Sequence, residues 1–486
     1  MSRKTVWLCL AVCWPAFAQD FPRQAGRTHA FTQDDIQQRL WQNTRQMDRA
    51  QEREVWEKDA AAQAALSGGE MEPQDTGAAL YDAVNHSDWP KARRLLAEYE
   101  QQTDHDKDVA LLARASLARA EGKWKQSKQH YETLLERQPD FTRGRLDLAR
   151  LLYEGHLNRE AQSQFVQIAR APDLPESVRE NIASFQTALN QRNSWRGSVQ
   201  IGGVWNSNIN HSPGTGKEWC VGDIIAGECS GLLQADPVES GFGAKYEATA
   251  VRQWQISGHH GVTARGISYG TVYRNKKEHG THTANLSAGY QFENHRDSLT
   301  LAPVFEWSSS GGKTDQRSYG VRGEWERDGT NWQWNSEVEW ARLDNVDRYN
   351  HLDGHKVSVN NTLTYLPRND MLLYAGLDFE RRTAASDVYA YRQASARLGA
   401  VKIFRQGFSA GLNATLRRRT HDGYEAFFQN RRRDNEQIYL ASLTADRWKI
   451  AGLKPVLSVK HRRVNGNIGL NSYKQNEIGL ALQKTF

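Results

Sequence analysis

The sequence predicts an α-helical tetratricopeptide-repeat domain followed by a transmembrane antiparallel β-barrel of about 14 strands. Three observations lead to this prediction. The chain begins like a secretory signal peptide, residues 76–190 repeat a helical pattern about every 34 residues, and residues 195–486 alternate apolar and polar side chains. In a chain of 486 residues, this order predicts an exported protein with two folded domains.

The first eighteen residues predict export. Arg3 and Lys4 give a positive start, Val6–Trp14 is a short apolar run, and Ala16-Phe17-Ala18 has the small side chains that signal peptidase recognises. Cys13 follows Val12, where a lipoprotein signal needs a small residue. We therefore expect a signal peptide over residues 1–18, cleavage near Ala18, and a mature protein without a lipid anchor.

Residues 19–75 are rich in Gln, Arg and Ala and contain few large apolar side chains. The stretch Asp34–Lys58 is compatible with a polar helix, and Ser67-Gly68-Gly69 interrupts the pattern. We interpret residues 19–75 as a partly ordered periplasmic arm.

Residues 76–190 carry the repeat. The same triplet of small, large and large side chains stands at positions i, i+4 and i+7 in three places, with starting points 35 and 34 residues apart. The triplets are Ala92, Leu96 and Tyr99; Ser127, Tyr131 and Leu134; and Ala161, Phe165 and Ile168. This period is that of a tetratricopeptide repeat, in which each helical hairpin buries its apolar face against the next. A concave surface that binds peptides or partner proteins is the function expected of such a domain.

From Trp195 onward the period changes to two, as in Phe242–Ala250 and Met371–Phe379. The mean hydropathy of −0.75 does not exclude a membrane protein, because barrel strands face lipid on one side only. Fourteen strands are predicted to begin near residues 195, 241, 262, 281, 297, 316, 331, 355, 370, 389, 407, 435, 448 and 473. Many of the 16 Trp residues lie near predicted strand ends, as expected of aromatic girdles.

The predicted connections alternate in length, which indicates the orientation in the membrane. Short turns are expected at Glu293–Asp297, Arg327–Asn331, Pro367–Asp370 and Arg405–Gly407. Long loops are expected at Asn206–Ser240, Ser308–Gln316, Asp344–Gly354 and His421–Asp434. Bacterial barrels turn tightly in the periplasm, so the short turns and the repeat domain are predicted to lie on the periplasmic side.

The final predicted strand alternates apolar residues and ends on an aromatic one, which resembles the signal read by the barrel-assembly machinery. Its signal residues are Ile478, Leu480, Leu482 and Phe486. Pairing of this strand with the first would remove the open edges of the sheet.

No residue pattern predicts catalysis. The sequence contains no phosphate-binding loop, nucleophile elbow or HExxH motif, and adjacent His259 and His260 are better explained by a short turn than as metal ligands. We expect no enzyme activity, cofactor or nucleic-acid partner, since the net charge of +6 is spread along the chain. The strand pattern points a mixed set of charges into the barrel: Lys245, Glu247, Arg265, Arg322, Glu324, Glu337, Glu339 and Arg397.

Two further groups are candidate sites. Cys220 and Cys229 are expected to form a disulfide in the long first loop, because the periplasm and cell surface are oxidising. Two runs of arginine flank the predicted loop at His421–Asp434, and they are Arg417, Arg418, Arg419, Arg431, Arg432 and Arg433. Contacts with lipopolysaccharide phosphates are favoured for these arginines over guidance of an acidic partner.

The chain resembles the surface lipoprotein assembly modulator (Slam) family. The resemblance is carried by Leu146–Ile168, by Pro175–Phe185, and by the asparagine-rich stretch Trp205–Asn210, in which Asn206 stands where the family has an acidic residue. It implies translocation of a client across the outer membrane, the client being a surface lipoprotein or a secreted protein used to acquire iron or haem. Periplasmic chaperones, the barrel-assembly machinery and outer-membrane lipid are the other partners expected. An exopolysaccharide exporter and a simple porin remain alternatives from other functional classes.

Overall fold

The computed structural model describes residues 55–56, 58–59, 75–171, 174–220, 224–225, 228–229 and 231–486; for 224–225, 228–229, 347 and 348 only the backbone is described. The predicted signal peptide and most of the predicted arm lie outside these residues. Two domains follow in the order that the sequence predicts, a helical domain and a closed β-barrel.

Seven helices lie between residues 75 and 192 of the described chain. They are α1 (Thr76–Asn85), α2 (Trp89–Tyr99), α3 (Lys107–Ala120), α4 (Trp124–Arg137), α5 (Thr142–Glu154), α6 (Asn158–Ile168) and α7 (Glu176–Arg192). Asp75, Asp88 and Asp106 cap α1, α2 and α3 by accepting a hydrogen bond from a backbone N–H of the first turn. The helices form three hairpins, and α7 packs against the third.

The predicted triplets form the contacts between helices. Ser127, Tyr131, Ala161 and Phe165 are at most 1% exposed, and Leu134 is fully buried. The small residue of each triplet allows the paired helix to approach closely, as the hydrogen bond from Ser127 Oγ to the Ala115 carbonyl (2.8 Å) illustrates. The repeat prediction is therefore confirmed at the level of side-chain packing.

The turn inside each hairpin uses a left-handed residue. Ser87, Gly122 and His156 have φ angles of 57°, 71° and 57°, and they recur at the same spacing as the triplets. In the third repeat the left-handed residue is His156 and not Gly155, whose φ of −76° is ordinary. Glycine is favoured at such a position, but the repeat tolerates other residues there.

Fourteen long strands form the barrel. They are β1 (Arg196–Asn206), β2 (Gly241–Ser257), β3 (His260–Tyr273), β4 (Thr281–Glu293), β5 (Asp297–Ser310), β6 (Lys313–Asp328), β7 (Trp332–Asn345), β8 (Gly354–Arg368), β9 (Met371–Arg382), β10 (Tyr391–Phe404), β11 (Phe408–Glu425), β12 (Asn430–Ala445), β13 (Lys454–Gly466) and β14 (Tyr473–Thr485). Each strand pairs antiparallel with its neighbours in sequence, and β14 pairs with β1 over Ser198–Asn206 to close the sheet. The predicted strand number is confirmed.

The lengths of the connections agree with the prediction at one end of the barrel and differ in part at the other. The four predicted short turns are short, and the β1–β2 connection (207–240) is the longest and carries two small strand pairs. The prediction of a long loop at Ser308–Gln316 was wrong, since Gly311 and Gly312 both adopt positive φ and join β5 to β6 directly. At His421–Asp434, β11 and β12 continue as a paired hairpin that leaves only 426–429 as a turn.

Candidate functional site

The two faces of the barrel wall differ in polarity. Large apolar side chains such as Ile201, Leu301, Leu398, Leu412 and Leu480 are 57–64% exposed on the outer face, where lipid would cover them. The intervening residues point inward and are mostly polar, and many are nearly inaccessible. The alternation thus produces an apolar outer surface around a charged interior, as the sequence predicts.

The inward charges of one wall are arranged in ion pairs. On β6 and β7, Arg322 Nη2 lies 2.6 Å from Glu339 Oε2, and Lys356 Nζ of β8 lies 3.1 Å from the other oxygen of Glu339. Arg265 of β3 pairs with Glu324 of β6, so this contact joins strands that are not neighbours. Because charged groups buried this far need partners, the pairing holds the side chains of this wall in fixed positions.

A second cluster lies on β11–β13. Glu436 accepts from Arg417 Nη1 (2.8 Å) and from Arg462 Nε (2.5 Å), and Arg432 Nε lies 2.8 Å from Asp434. These residues line a small cavity together with Arg419, Val464 and Tyr473. On β9 and β10, Arg397 binds both oxygens of Asp378 at 2.6 and 2.7 Å. Charges of both signs therefore line the lumen on both walls, with arginines in excess in the β11–β13 cluster.

The structure corrects the lipid-contact prediction for three arginines. Arg417 and Arg419 are 5% and 4% exposed and point into the barrel, because they alternate with the outward Leu416 and Arg418. Arg432 is half-buried in its ion pair with Asp434. Lipopolysaccharide phosphates do not reach these side chains from outside.

The other three arginines lie at the surface. Arg418, Arg431 and Arg433 are exposed. They lie on the extended β11–β12 hairpin, at the end of the barrel opposite the four short turns. For these three the expected contact with lipid phosphates stays a prediction.

The asparagine-rich stretch after β1 closes the seam between the first and last strands. Asn208 is 2% exposed; its Nδ2 donates to the carbonyls of Ser212 (2.8 Å) and Lys474 (3.0 Å), and its carbonyl accepts from Gln475 Nε2 (2.8 Å). Asn206 Nδ2 donates to Tyr273 Oη (3.1 Å) on β3 and lies 3.4 Å from Glu477 Oε1 on β14. Sequence reasoning identified this stretch by resemblance alone, and the contacts give it a structural role at the β1–β14 junction.

The final strand exposes the residues of the predicted assembly signal. Ile478, Leu480 and Phe486 are 48–64% exposed on the outer face, and Leu482 is half-buried. Phe486 exchanges two backbone hydrogen bonds with Gly197 of β1, at 2.9 and 3.0 Å. Recognition by the assembly machinery stays a prediction.

The predicted disulfide is described on one side only. Cys220 is disulfide-bonded. The side chain of Cys229 lies outside the described residues, so its pairing with Cys220 stays a prediction. His259 and His260 occupy the β2–β3 turn and the start of β3, and their Nδ1 atoms lie 2.9 Å from the Glu293 carbonyl and 2.6 Å from Tyr290 Oη. The turn interpretation of this pair is confirmed.

The helical domain contacts the barrel at its short-turn end. Gln255, near the end of β2, accepts from the backbone N–H of Arg159 (2.7 Å) and donates to Glu160 Oε2 (2.7 Å). Arg159 Nη1 donates to the Ile256 carbonyl (2.8 Å), so the start of α6 is held by several bonds. Sequence reasoning gave no signal for these contacts, which join residues almost one hundred positions apart.

A second set of contacts joins the helices to the β4–β5 turn. The Trp124 ring lies 4.6 Å from the His295 ring, centroid to centroid, and His156 Nδ1 lies 3.4 Å from Glu293 Oε1. Burial lowers the pKa of His295 to about 4, and the positive charge of Arg296 adds to this effect. The imidazole at this junction is therefore neutral at ordinary pH.

Comparison with known proteins identifies relatives over nearly the whole chain. A family model described as surface lipoprotein assembly modifier matches residues 195–486, and one described as its N-terminal TPR repeats matches residues 70–165. The hemophilin secretion modulator of Acinetobacter baumannii is 30% identical over 86% of this chain and 87% of its own. Surface lipoprotein assembly modifier 1 of Neisseria meningitidis serogroup B is 28% identical over 85% and 83% of the two chains. Its namesake in Haemophilus influenzae is 25% identical over 84% of each chain.

Proposed function

Since this chain belongs to the surface lipoprotein assembly modifier family, we propose that it is an outer-membrane translocator that delivers client proteins to the cell surface. The clients are surface lipoproteins or secreted proteins of iron or haem acquisition, as the names of its relatives suggest. The observation that carries the proposal is the position of the helical domain, which lies against one end of the barrel through Gln255 and Trp124. A domain in this position meets a client before the client meets the barrel.

The orientation follows from the turns. Bacterial barrels have short periplasmic turns and longer outer loops. The helical domain contacts the β2–β3 and β4–β5 turns, which are short, whereas the longest connection, 207–240, leaves the other end of β1. The helical domain thus lies in the periplasm, where clients arrive, and the loop bearing Cys220 lies outside.

The lining of the barrel suits an extended polypeptide more than a steady flow of ions. Its ion pairs, such as Arg322–Glu339 and Arg417–Glu436, join inward side chains into a mixed-sign surface. A polar polypeptide passing through the barrel would pair with one of these side chains as another partner is released. Each buried charge of the lining would therefore keep a partner throughout. Since the periplasm holds no ATP and the sequence contains no nucleotide-binding motif, folding of the client outside, or the barrel-assembly machinery, supplies the direction.

Other partners follow from the compartment. Periplasmic chaperones would keep the client unfolded until it reaches the helical domain. The assembly machinery would insert the barrel through its last strand, and outer-membrane lipid would cover the apolar outer face, with Arg418, Arg431 and Arg433 near lipid phosphates. In this proposal the barrel is a conduit, and we assign no catalytic residue.

The test compares surface-exposed with total client in a deletion strain. Loss of the gene should remove one or a few lipoproteins or secreted haem-binding proteins from the surface or medium and leave their total amounts unchanged. Complementation with the full chain should restore display, whereas a chain lacking residues 76–190 should insert its barrel and fail to restore it. Unchanged display of every such protein in the deletion strain would refute the proposal.

Conductance separates the proposal from a porin. The purified chain in planar bilayers should conduct little, because paired charges occupy its lumen. Steady, large conductance together with normal client display would favour the porin. Loss of an exopolysaccharide with normal client display would favour the polysaccharide exporter.

A further inference from the structure

The described part of the N-terminal arm lies on the helical domain. Trp56 packs edge-on against Tyr153 of α5 and Phe185 of α7, with ring centroids 5.8 and 5.4 Å apart, and the guanidinium of Arg119 on α3 lies 5.9 Å from the Trp56 ring. Val55 is 6% exposed and belongs to the core of the second and third repeats. We call the surface formed by Arg119, Arg150, Tyr153 and Phe185 the arm groove.

The arm provides a carboxylate that pairs with a buried arginine at the floor of the arm groove. Arg150 is fully buried, and its Nε and Nη2 lie 2.8 and 2.6 Å from Asp59 Oδ1. Its Nη1 also lies 2.9 Å from Asp147, but Asp147 is shared with Arg143 at 2.9 Å. The repeats alone therefore place two arginines against one carboxylate, and Asp59 supplies the second carboxylate.

The arm groove thus has the chemistry of a peptide receptor. Tyr153 and Phe185 pack against a large aromatic ring, as Trp56 shows. Arg150 donates to a carboxylate three residues further along the bound segment, as Asp59 shows. An aromatic anchor beside a charge-assisted hydrogen bond is the usual source of affinity in peptide recognition.

The arm residues that fill the groove precede the repeats in the chain. The family model of the repeats begins at residue 70, after Trp56 and Asp59. Sixteen residues of chain separate Asp59 from Thr76 of α1, and a tether of this length gives an effective concentration of about millimolar. A free peptide competes with such a segment if its own affinity is clearly better than millimolar.

We propose that the arm groove is a binding site for peptide segments of periplasmic partner proteins that present an aromatic residue followed three positions later by an acidic one. Trp56 and Asp59 occupy the site in cis, and a partner binds by displacing them. The inference does not depend on the identity of the client, since it concerns the chemistry of the groove alone.

The first experiment uses the full chain in detergent micelles and a fluorescein-labelled peptide with the sequence of residues 50–62. The protein variant Trp56→Ala/Asp59→Ala, whose arm has lost both anchors, should bind the peptide at least tenfold more tightly than the unmodified protein by fluorescence polarisation. Peptides carrying Trp56→Ala or Asp59→Asn should each bind this variant at least tenfold more weakly. Asp108→Ala, which removes a carboxylate paired with Arg137 about three helical turns from Arg119, is the control and should bind like the unmodified protein.

The second experiment uses the unmodified protein. Excess unlabelled peptide should accelerate amide hydrogen exchange at residues 55–59, because the arm leaves the groove, and the doubly substituted peptide should not. Equal binding of the original and substituted peptides, or unchanged exchange at saturating peptide, would overturn the proposal. Loss of the helical circular-dichroism signal in Trp56→Ala/Asp59→Ala would also overturn it, since the arm would then be part of the core. None of these measurements uses client display, so this proposal and the proposed function are tested independently.

Discussion

Replacing Gln255 by alanine should loosen the helical domain from the barrel. The side chain makes two hydrogen bonds across the junction, both 2.7 Å long, one from the Arg159 backbone and one to the Glu160 carboxylate. A neutral bond contributes about 1 kcal/mol and a bond to a charged group about 2 kcal/mol, and partial hydration of this half-buried site reduces their sum. We expect a loss of about 2 kcal/mol, which lowers the ratio of docked to undocked molecules by about thirtyfold.

Spin labels on the two domains measure this ratio. Gln129 on α4 and Arg405 in the β10–β11 turn are both exposed, so cysteines at these positions carry labels without disturbing the junction. Double electron–electron resonance in a urea series should show the longer-distance population of Gln255→Ala appearing at lower urea than in the parent protein. The matched control is Gln333→Ala, because Gln333 bonds to Asp328 in another short turn. If the two alanine variants undock at the same urea concentration, the assignment of docking energy to Gln255 is wrong.

Three further outcomes follow from single residues. Phe165→Ala removes a fully buried ring and should destabilise the helices by about 3–5 kcal/mol, seen as a lower melting temperature at 222 nm; an unchanged melt would contradict the repeat packing. Docking should weaken as pH falls from about 6.5 to 4, because burial and the charge of Arg296 hold the pKa of His295 at about 4 in the docked state, below its ordinary value. Spin-label distances between the two domains should report the weakening. The variant His295→Phe should show no such pH dependence. Asn208→Ala breaks buried hydrogen bonds at the strand seam and should lower the temperature at which the barrel unfolds on heated gels by more than Asn210→Ala, whose side chain bonds at the surface.

The strand pattern was predictable because lipid and lumen impose opposite demands on successive residues. Most predicted strand starts differ from the structure by three residues or fewer, as at Gly241, Thr281 and Tyr473. The two larger errors, at the starts of β12 and β13, lie outside the part of the wall where one face meets lipid and the other meets the lumen. β12 begins at Asn430 and not near 435, because Arg431 pairs with Tyr424 in a hairpin that continues as strand, and β13 begins at Lys454 and not near 448, after a turn.

Contacts between distant segments were not predictable. Nothing local to Asp59 indicates that Arg150 is its partner, and nothing local to Gln255 indicates Glu160, since each pair forms only after both segments have folded. The arginines have a different explanation: Arg417 precedes the predicted loop, and the alternation that points Leu416 outward places Arg417 inside and Arg418 outside. The lipid-contact prediction did not use this signal. The Gly311-Gly312 pair carried a turn signal that the loop prediction did not use.

The connection from α7 to β1 has a kinetic consequence. α7 ends at Arg192 and β1 begins at Arg196, and Arg192 Nη1 also donates to the Tyr153 carbonyl and to Asn158 Oδ1, at 3.0 Å each. The few intervening residues extend only about 10 Å, so even an undocked helical domain stays beside the barrel mouth. A polypeptide held by that domain therefore reaches the barrel by an intramolecular step, whose rate does not depend on the abundance of either protein in the envelope.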